Sequence, residues 1–208
     1  MLIPSHRIFL LSPASCHGRR AKLLFNDQAT FDIARAVRSE AGSTLGEVFS
    51  FLSGLYFRGK LAYARAFAAP PERSPGIQVI TPSRGLLDPD TPITLRDLQE
   101  FARVPIDLDE PRYFQPFERA AQKLAKQSGD CEVVLLGSVA TDKYVAILSH
   151  AFGERLRFPA EFVGRGDMSR GGLLLRCIDD ARELTYVPVE GAIRHGARPP
   201  RLEKRTIR

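Results

Sequence analysis

From Gly76 to Ile93 the chain reads G-I-Q-V-I-T-P-S-R-G-L-L-D-P-D-T-P-I, a short apolar run that ends in a polar loop. Ile77, Val79 and Ile80 have the β-branched character of a buried strand, and Pro82 stops it. The loop behind it carries Ser83, Arg84, Gly85, Asp88 and Asp90. In an open parallel sheet ligands bind beyond the carboxyl ends of the strands, so a strand that empties into donors, acceptors and free backbone predicts an α/β fold with its site at that end.

The rest of the chain supplies the partners for such a strand. Arg7 to Leu11 reads as a first strand and Glu132 to Leu136 as a third, each with an apolar run suited to a sheet covered on both faces. Between them, helical spacing runs through 29–41, 44–52, 55–68, 94–101 and 110–127, and it resumes at 141–152. Thr94 followed by Asp97 marks a helix start. Strands separated by helices predict parallel pairing. Leu173 to Ile178, a four-residue turn, and Glu183 to Val189 read as a β-hairpin. The expected architecture is therefore a small doubly wound, mainly parallel α/β sheet flanked by helices with a C-terminal β-hairpin. It forms a single domain over residues 1–193, followed by a basic tail over 194–208.

Composition excludes several classes. With 208 residues, 44% hydrophobic and 26% charged, the chain can bury one core and does not have the makeup of a disordered protein. Its apolar runs fall far short of a membrane span, so no membrane partner is expected. Ile8 to Leu11 is too short for a signal sequence. Cys16, Cys131 and Cys177 form no CxxC pair and are odd in number, which suits a reducing cytoplasm. Four scattered histidines offer no metal cluster, and neither a metal nor a cofactor is expected. The net charge of +6 is concentrated in the tail, where Arg194, Arg198, Arg201, Lys204, Arg205 and Arg208 face a lone Glu203. Such a tail tracks a phosphate backbone or only aids solubility. No heptad or apolar stripe specifies an oligomer.

Three loops fall together at the strand ends. Ser12 to His17 follows the first strand, Ser83-Arg84-Gly85 the second, and Gly137-Ser138 the third. Ser12, Ser83, Arg84, Gly85, Gly137 and Ser138 are thus the candidate substrate-binding residues, and Asp88 is the candidate catalytic carboxylate. Each loop also reads as simple helix capping, and D-P-D-T-P as an ordinary turn. Gly164 to Gly172 holds four glycines, Arg165 and Arg170, from which phosphate binding by the two arginines follows. A flexible entry into the hairpin is the alternative. Cys16 beside His17 suggests a nucleophile, yet adjacent side chains diverge and no third group orients them.

Four segments resemble a group of small bacterial proteins, the YaaA-like peroxide-stress proteins and the uracil-DNA-glycosylase-like domain of archaeosine synthases. They are I-F-L-L-S at 8–12, F-R-G-K-L-A-Y-A at 57–64, V-I-T-P-S-R-G-L-L-D-P-D at 79–90 and V-V-L-L-G at 133–137. The resemblance spans about residues 7–152 and implies a Rossmann-like sheet and a nucleic acid, nucleoside or modified nucleobase as partner. It carries over no catalytic set. The functional expectation is a protein that handles a nucleobase, nucleoside or nucleic acid through glycosylase-type or base-modifying chemistry. A non-catalytic nucleic-acid binder using the basic tail, and a scaffold whose polar loops only cap helices, are the alternatives.

Overall fold

The computed structural model describes residues 6–203 and sets Arg7–Leu11 (β1) at the middle of a six-stranded sheet. In chain order the other elements are Arg19–Phe25 (α1), Asp32–Arg38 (α2), Ser43–Thr44 (β2), Leu45–Ser53 (α3), Leu55–Phe67 (α4), Ile77–Thr81 (β3), Gly85–Leu87 (β4) and Pro92–Ile93 (β5). Leu95–Ala102 (α5), Pro111–Gln127 (α6), Glu132–Leu136 (β6), Asp142–Phe152 (α7), Leu156–Pro159 (β7), Asp167–Asp179 (α8) and Tyr186–Pro188 (β8) complete it. The sheet order is β4-β3-β1-β6-β7-β8. Its four inner strands are parallel and its two edges antiparallel. The α/β architecture read from the sequence is the one the chain adopts.

Alternation along the strands builds two cores. Phe9, Leu11, Val79, Val134 and Leu136 face one side, under α1–α4 and α8. Ile8, Leu10, Ile80, Val133 and Leu135 face the other, under α6 and α7. Since β1 is flanked by β3 on one side and β6 on the other, the chain reverses its winding direction at β1. The loops after β1 and β6 then diverge, which opens a crevice at the switch point.

Helix starts follow the capping signals. Thr44 and Thr94 each close a capping box, with Glu47 and Asp97 as reciprocal partners, and Glu110 accepts from the Arg112 backbone at the head of α6.

The C-terminal quarter departs from the sequence expectation. Leu173 to Ile178 is not a strand but the second half of α8, and the antiparallel partner of β8 is β7. Three consecutive leucines imitate a strand, but Arg170, Gly171, Leu174 and Cys177 are buried at helical spacing. The glycines that read as a loop let two helices touch. A Cβ on Gly59 of α4 would lie 2.8 Å from the Gly171 carbonyl oxygen, and one on Gly171 would lie 2.8 Å from the Leu55 carbonyl oxygen.

The tail, as far as it is described, lies on this part of the fold. Arg165 donates to the Pro200 carbonyl, Arg176 to the Glu203 carbonyl, and Arg194 pairs with Asp142. Lys204, Arg205 and Arg208 lie outside the described residues.

The opening stretch folds into a tight hairpin. The buried Thr81 hydroxyl donates to the Gly85 carbonyl and accepts from the Arg84 backbone. Gly85 has φ of 66° and packs where a Cβ would sit 2.4 Å from the Pro116 carbonyl oxygen, so only glycine fits. Arg84 turns back onto α5. Its Nε lies 3.1 Å from Glu100 Oε1 and its Nη2 2.6 Å from Asp97 Oδ1, and this contact holds the Glu100 carboxyl below its usual range. Arg84→Ala should therefore lower stability by about 1 kcal/mol, as a half-exposed network does, more at low salt than at high salt. Thermal melts at two ionic strengths check this.

Candidate functional site

Beyond the carboxyl ends of β1, β3 and β6 lies a cleft of about 630 Å³. The loop from Ser12 to Gly18 forms its floor and one side. Pro82 after β3 and Ser138 after β6 reach it, and Tyr56, Phe101, Tyr144 and Asp167 line its walls. Gly137 sets the floor: a Cβ there would stand 2.9 Å from Ser12 Cβ, so glycine lets the ends of β1 and β6 lie side by side.

Lys60, which sequence reasoning passed over, sits directly behind Ser12. Its side chain is fully buried, and Nζ donates to the Ser12 carbonyl at 2.5 Å and to Ser12 Oγ at 2.8 Å. Nζ also stands over the Tyr56 ring at 4.6 Å and the Phe57 ring at 4.9 Å. Among the described residues it forms no salt bridge, because Asp167 is turned to Arg170 at 3.8 Å. Burial pulls the Lys60 ammonium down to about 7, since a charge without water or a touching carboxylate is costly.

A sequence signal for this lysine exists. Tyr56, Phe57, Leu61, Tyr63 and Ala64 are buried along α4, and position 60 falls inside that stripe at spacings of three and four. A long cationic side chain in an amphipathic helix is usually solvated, and that expectation hid it.

The expected site residues divide. Ser12 and Ser138 line the cleft, and Gly137 shapes it. Ser83 lines an adjoining depression rather than this cleft, with its hydroxyl donating to Glu100 Oε1 at 2.5 Å, and Arg84 lines neither and forks Asp97 and Glu100. Gly85 is a packing glycine. Asp88 is exposed and accepts from the Asp90 backbone at 2.8 Å in a turn, while Asp90 pairs with Arg65.

Arg165 and Arg170 belong to the protein's own framework. Arg170 is buried, donates twice to the Phe162 carbonyl, at 2.9 and 3.2 Å, and stacks over the Phe162 ring. Arg165 donates to the Glu161 carbonyl and to Ser169. Burial pushes the Cys16 thiol up to about 12, so Cys16 is no thiolate nucleophile at neutral pH. Tyr56 is buried against the cleft, and burial pushes its hydroxyl well above the usual phenol range against the opposing pull of the nearby Arg170.

A second depression, of about 550 Å³, adjoins the cleft and shares Arg103 and Val104 with it. Arg96, Arg103 and Arg112 line it. Arg112 is held by Glu110, whereas Arg96 and Arg103 make no ion pair among the described residues. The cleft thus has Tyr56, Phe101 and Tyr144 in its lining, the second depression has three arginines beside Ser83 and Glu100, and Arg103 belongs to both. No protein-family model, no curated protein and no solved structure matches the chain.

Proposed function

We propose that the protein handles a nucleobase-bearing ligand, a nucleoside, a nucleotide or the end of a nucleic acid strand, with the base between the ring walls of the cleft and phosphate at Arg103. The observation that carries this reading is the joining of a tyrosine-walled cleft to an arginine-lined groove through a shared, unpaired Arg103. A base stacks on aromatic faces, and a guanidinium forks a phosphate. The resemblance of residues 7–152 to the YaaA-like and uracil-DNA-glycosylase-like group supports the same class. Cys16, Cys131 and Cys177 are buried and none forms a disulfide among the described residues, which fits a reducing compartment such as the cytoplasm. Among the described residues no helix is long and apolar enough to cross a membrane.

Calorimetric titration with nucleoside monophosphates and with ribose phosphate tests the reading. Monophosphates should bind more tightly than the base-free sugar phosphate. Arg103→Ala should weaken them about tenfold, the value of one charge-assisted contact, and Tyr144→Ala should weaken the base-bearing ligands alone. Equal binding of ribose phosphate, or an Arg103→Ala variant that binds as the parent does, would overturn it.

A second reading draws on the tail, whose Arg198 and Arg201 line a groove with Arg165. If the tail supplies the affinity, binding of single-stranded DNA should fall steeply with salt and vanish when residues 194–208 are removed, while mononucleotide binding in the cleft stays.

A further inference from the structure

We propose that Ser12 is a nucleophile whose proton Lys60 accepts, and that the cleft carries out acyl transfer on a small carboxylic ester or amide. This goes beyond a ligand-binding role, since it assigns chemistry to the floor of the cleft whether or not the ligand bears a base.

Three observations carry it. Ser12 stands at the open end of β1 on the cleft wall, and Lys60 Nζ lies 2.8 Å from its hydroxyl oxygen, inside proton-transfer reach. Lys60 is enclosed, its amine touching Ser12 and the Tyr56 ring, both of which line the cleft, and no carboxylate neutralises it at contact distance. Lys143 and Ser138 line the same cleft, a cation and a hydroxyl of the kind that stabilise an oxyanion. The charged and titratable groups around the pair are Tyr56 on α4, Asp167 and Arg170 on α8 and, beyond them, Tyr144 on α7. With burial lowering the Lys60 ammonium to about 7, a substantial share of the pair holds a neutral amine at neutral pH. A framework lysine in a surface ion pair could not take up a proton there.

The step balances without a further reagent except water. The Ser12 Oγ–carbon bond forms as the carbonyl π pair moves to oxygen, and the hydroxyl proton passes to Lys60 Nζ. Collapse breaks the bond to the leaving alcohol or amine, which takes the proton from Lys60. Water then adds to the Ser12 ester, giving its proton to Lys60. The Oγ–carbon bond breaks, Oγ recovers the proton, and a carboxylic acid leaves. A carbonyl carbon suits the pair because one amine serves as base and then as acid; attack at a sugar carbon calls for a free carboxylate, and Asp167 is turned to Arg170.

The test uses the full chain and an alkyl fluorophosphonate, which phosphonylates activated serines with loss of fluoride. Intact mass and peptide mapping should show one adduct, on Ser12, forming at a rate that rises as the pH passes through about 7. Ser12→Ala should abolish the adduct, and Lys60→Met should slow it at least 100-fold, the lower end for a lost general base. If Lys60→Met does not fold, the pH profile of the parent decides instead, because a rate flat from pH 5 to 9 excludes a titrating partner. No adduct, an adduct on Ser15 or Ser138, or unchanged labelling of a folded Lys60→Met variant would overturn the proposal. A parent protein that binds mononucleotides but takes no label would count against the acyl chemistry alone. Loss of nucleotide binding with labelling intact would count against the base-binding reading alone.

Discussion

Between pH 7 and pH 9 the unfolding free energy should rise by about 2 kcal/mol, and the Lys60→Met variant should lack that rise. In the unfolded chain Lys60 titrates near the ordinary 10.5, and in the fold burial brings it to about 7. Across the interval between them the unfolded chain holds a proton that the native state does not, so stability rises with pH. The contribution is complete above the unfolded value and is lost as the pH falls through the native one, where both states are charged and the desolvation cost is felt in full. Above pH 9 the buried thiols act in the opposite sense, because Cys16 and Cys131 stay protonated in the fold to about 12 and about 11 while the unfolded thiols ionise near 9.0. The thiols are the same in parent and variant, so the difference between the two profiles from pH 7 to 9 isolates the lysine. Urea titrations at three pH values, in parent and variant, read the effect, and a flat parent profile would place Lys60 in a wetter site than its contacts with Ser12, Tyr56 and Phe57 imply.

The second large effect concerns the contact between α4 and α8. Gly171→Ala should cost about 3 kcal/mol, the upper part of the overpacking range, and lower the melting temperature by roughly 10 °C for a chain of this size. The obstacles are backbone atoms rather than side-chain tips: the added Cβ would meet the Leu55 carbonyl oxygen and carbon and Tyr56 Cα at 2.8 to 2.9 Å, and none can move without moving its helix. The consequence reaches the cleft, since α4 carries Lys60 and Tyr56 while α8 carries Asp167 and Arg170. Prying the helices apart should admit water to Lys60 and return its titration toward 10.5, so the stability rise between pH 7 and 9 should shrink in this variant too. An unchanged melting temperature would mean that the two helices do not pack through these glycines.

How far the molecule could be read from its sequence depends on which residues carried the signal. β1, β3 and β6 were legible because each is a continuous apolar run bounded by polar residues, and α5 because Thr94 and Asp97 announce its start. The position of the cleft followed from the order of strands and helices alone. α8 was not legible, since Gly171, Gly172 and Leu173-Leu174-Leu175 suggest a loop and then a strand unless the glycine face of α4 is known. The loop after β3 misled in another way. Ser83, Arg84 and Asp88 have the chemistry of a ligand site, but Glu100, Asp97 and the Asp90 backbone take up their polar groups, and those partners become neighbours only when the hairpin folds onto α5. Ser12 and Ser138 were identified from strand ends, whereas Lys60 was hidden 48 positions along the chain from the serine it touches.

The most direct test of the central claim, that the cleft beyond β1, β3 and β6 receives a base-bearing ligand, is a map of amide and side-chain NMR shifts on titration with adenosine and uridine monophosphates. The account predicts saturable shifts at Ser12, Tyr56, Arg103, Ser138 and Tyr144 together. Shifts confined to Arg198 and Arg201, or shifts that ribose phosphate reproduces in full, would contradict it.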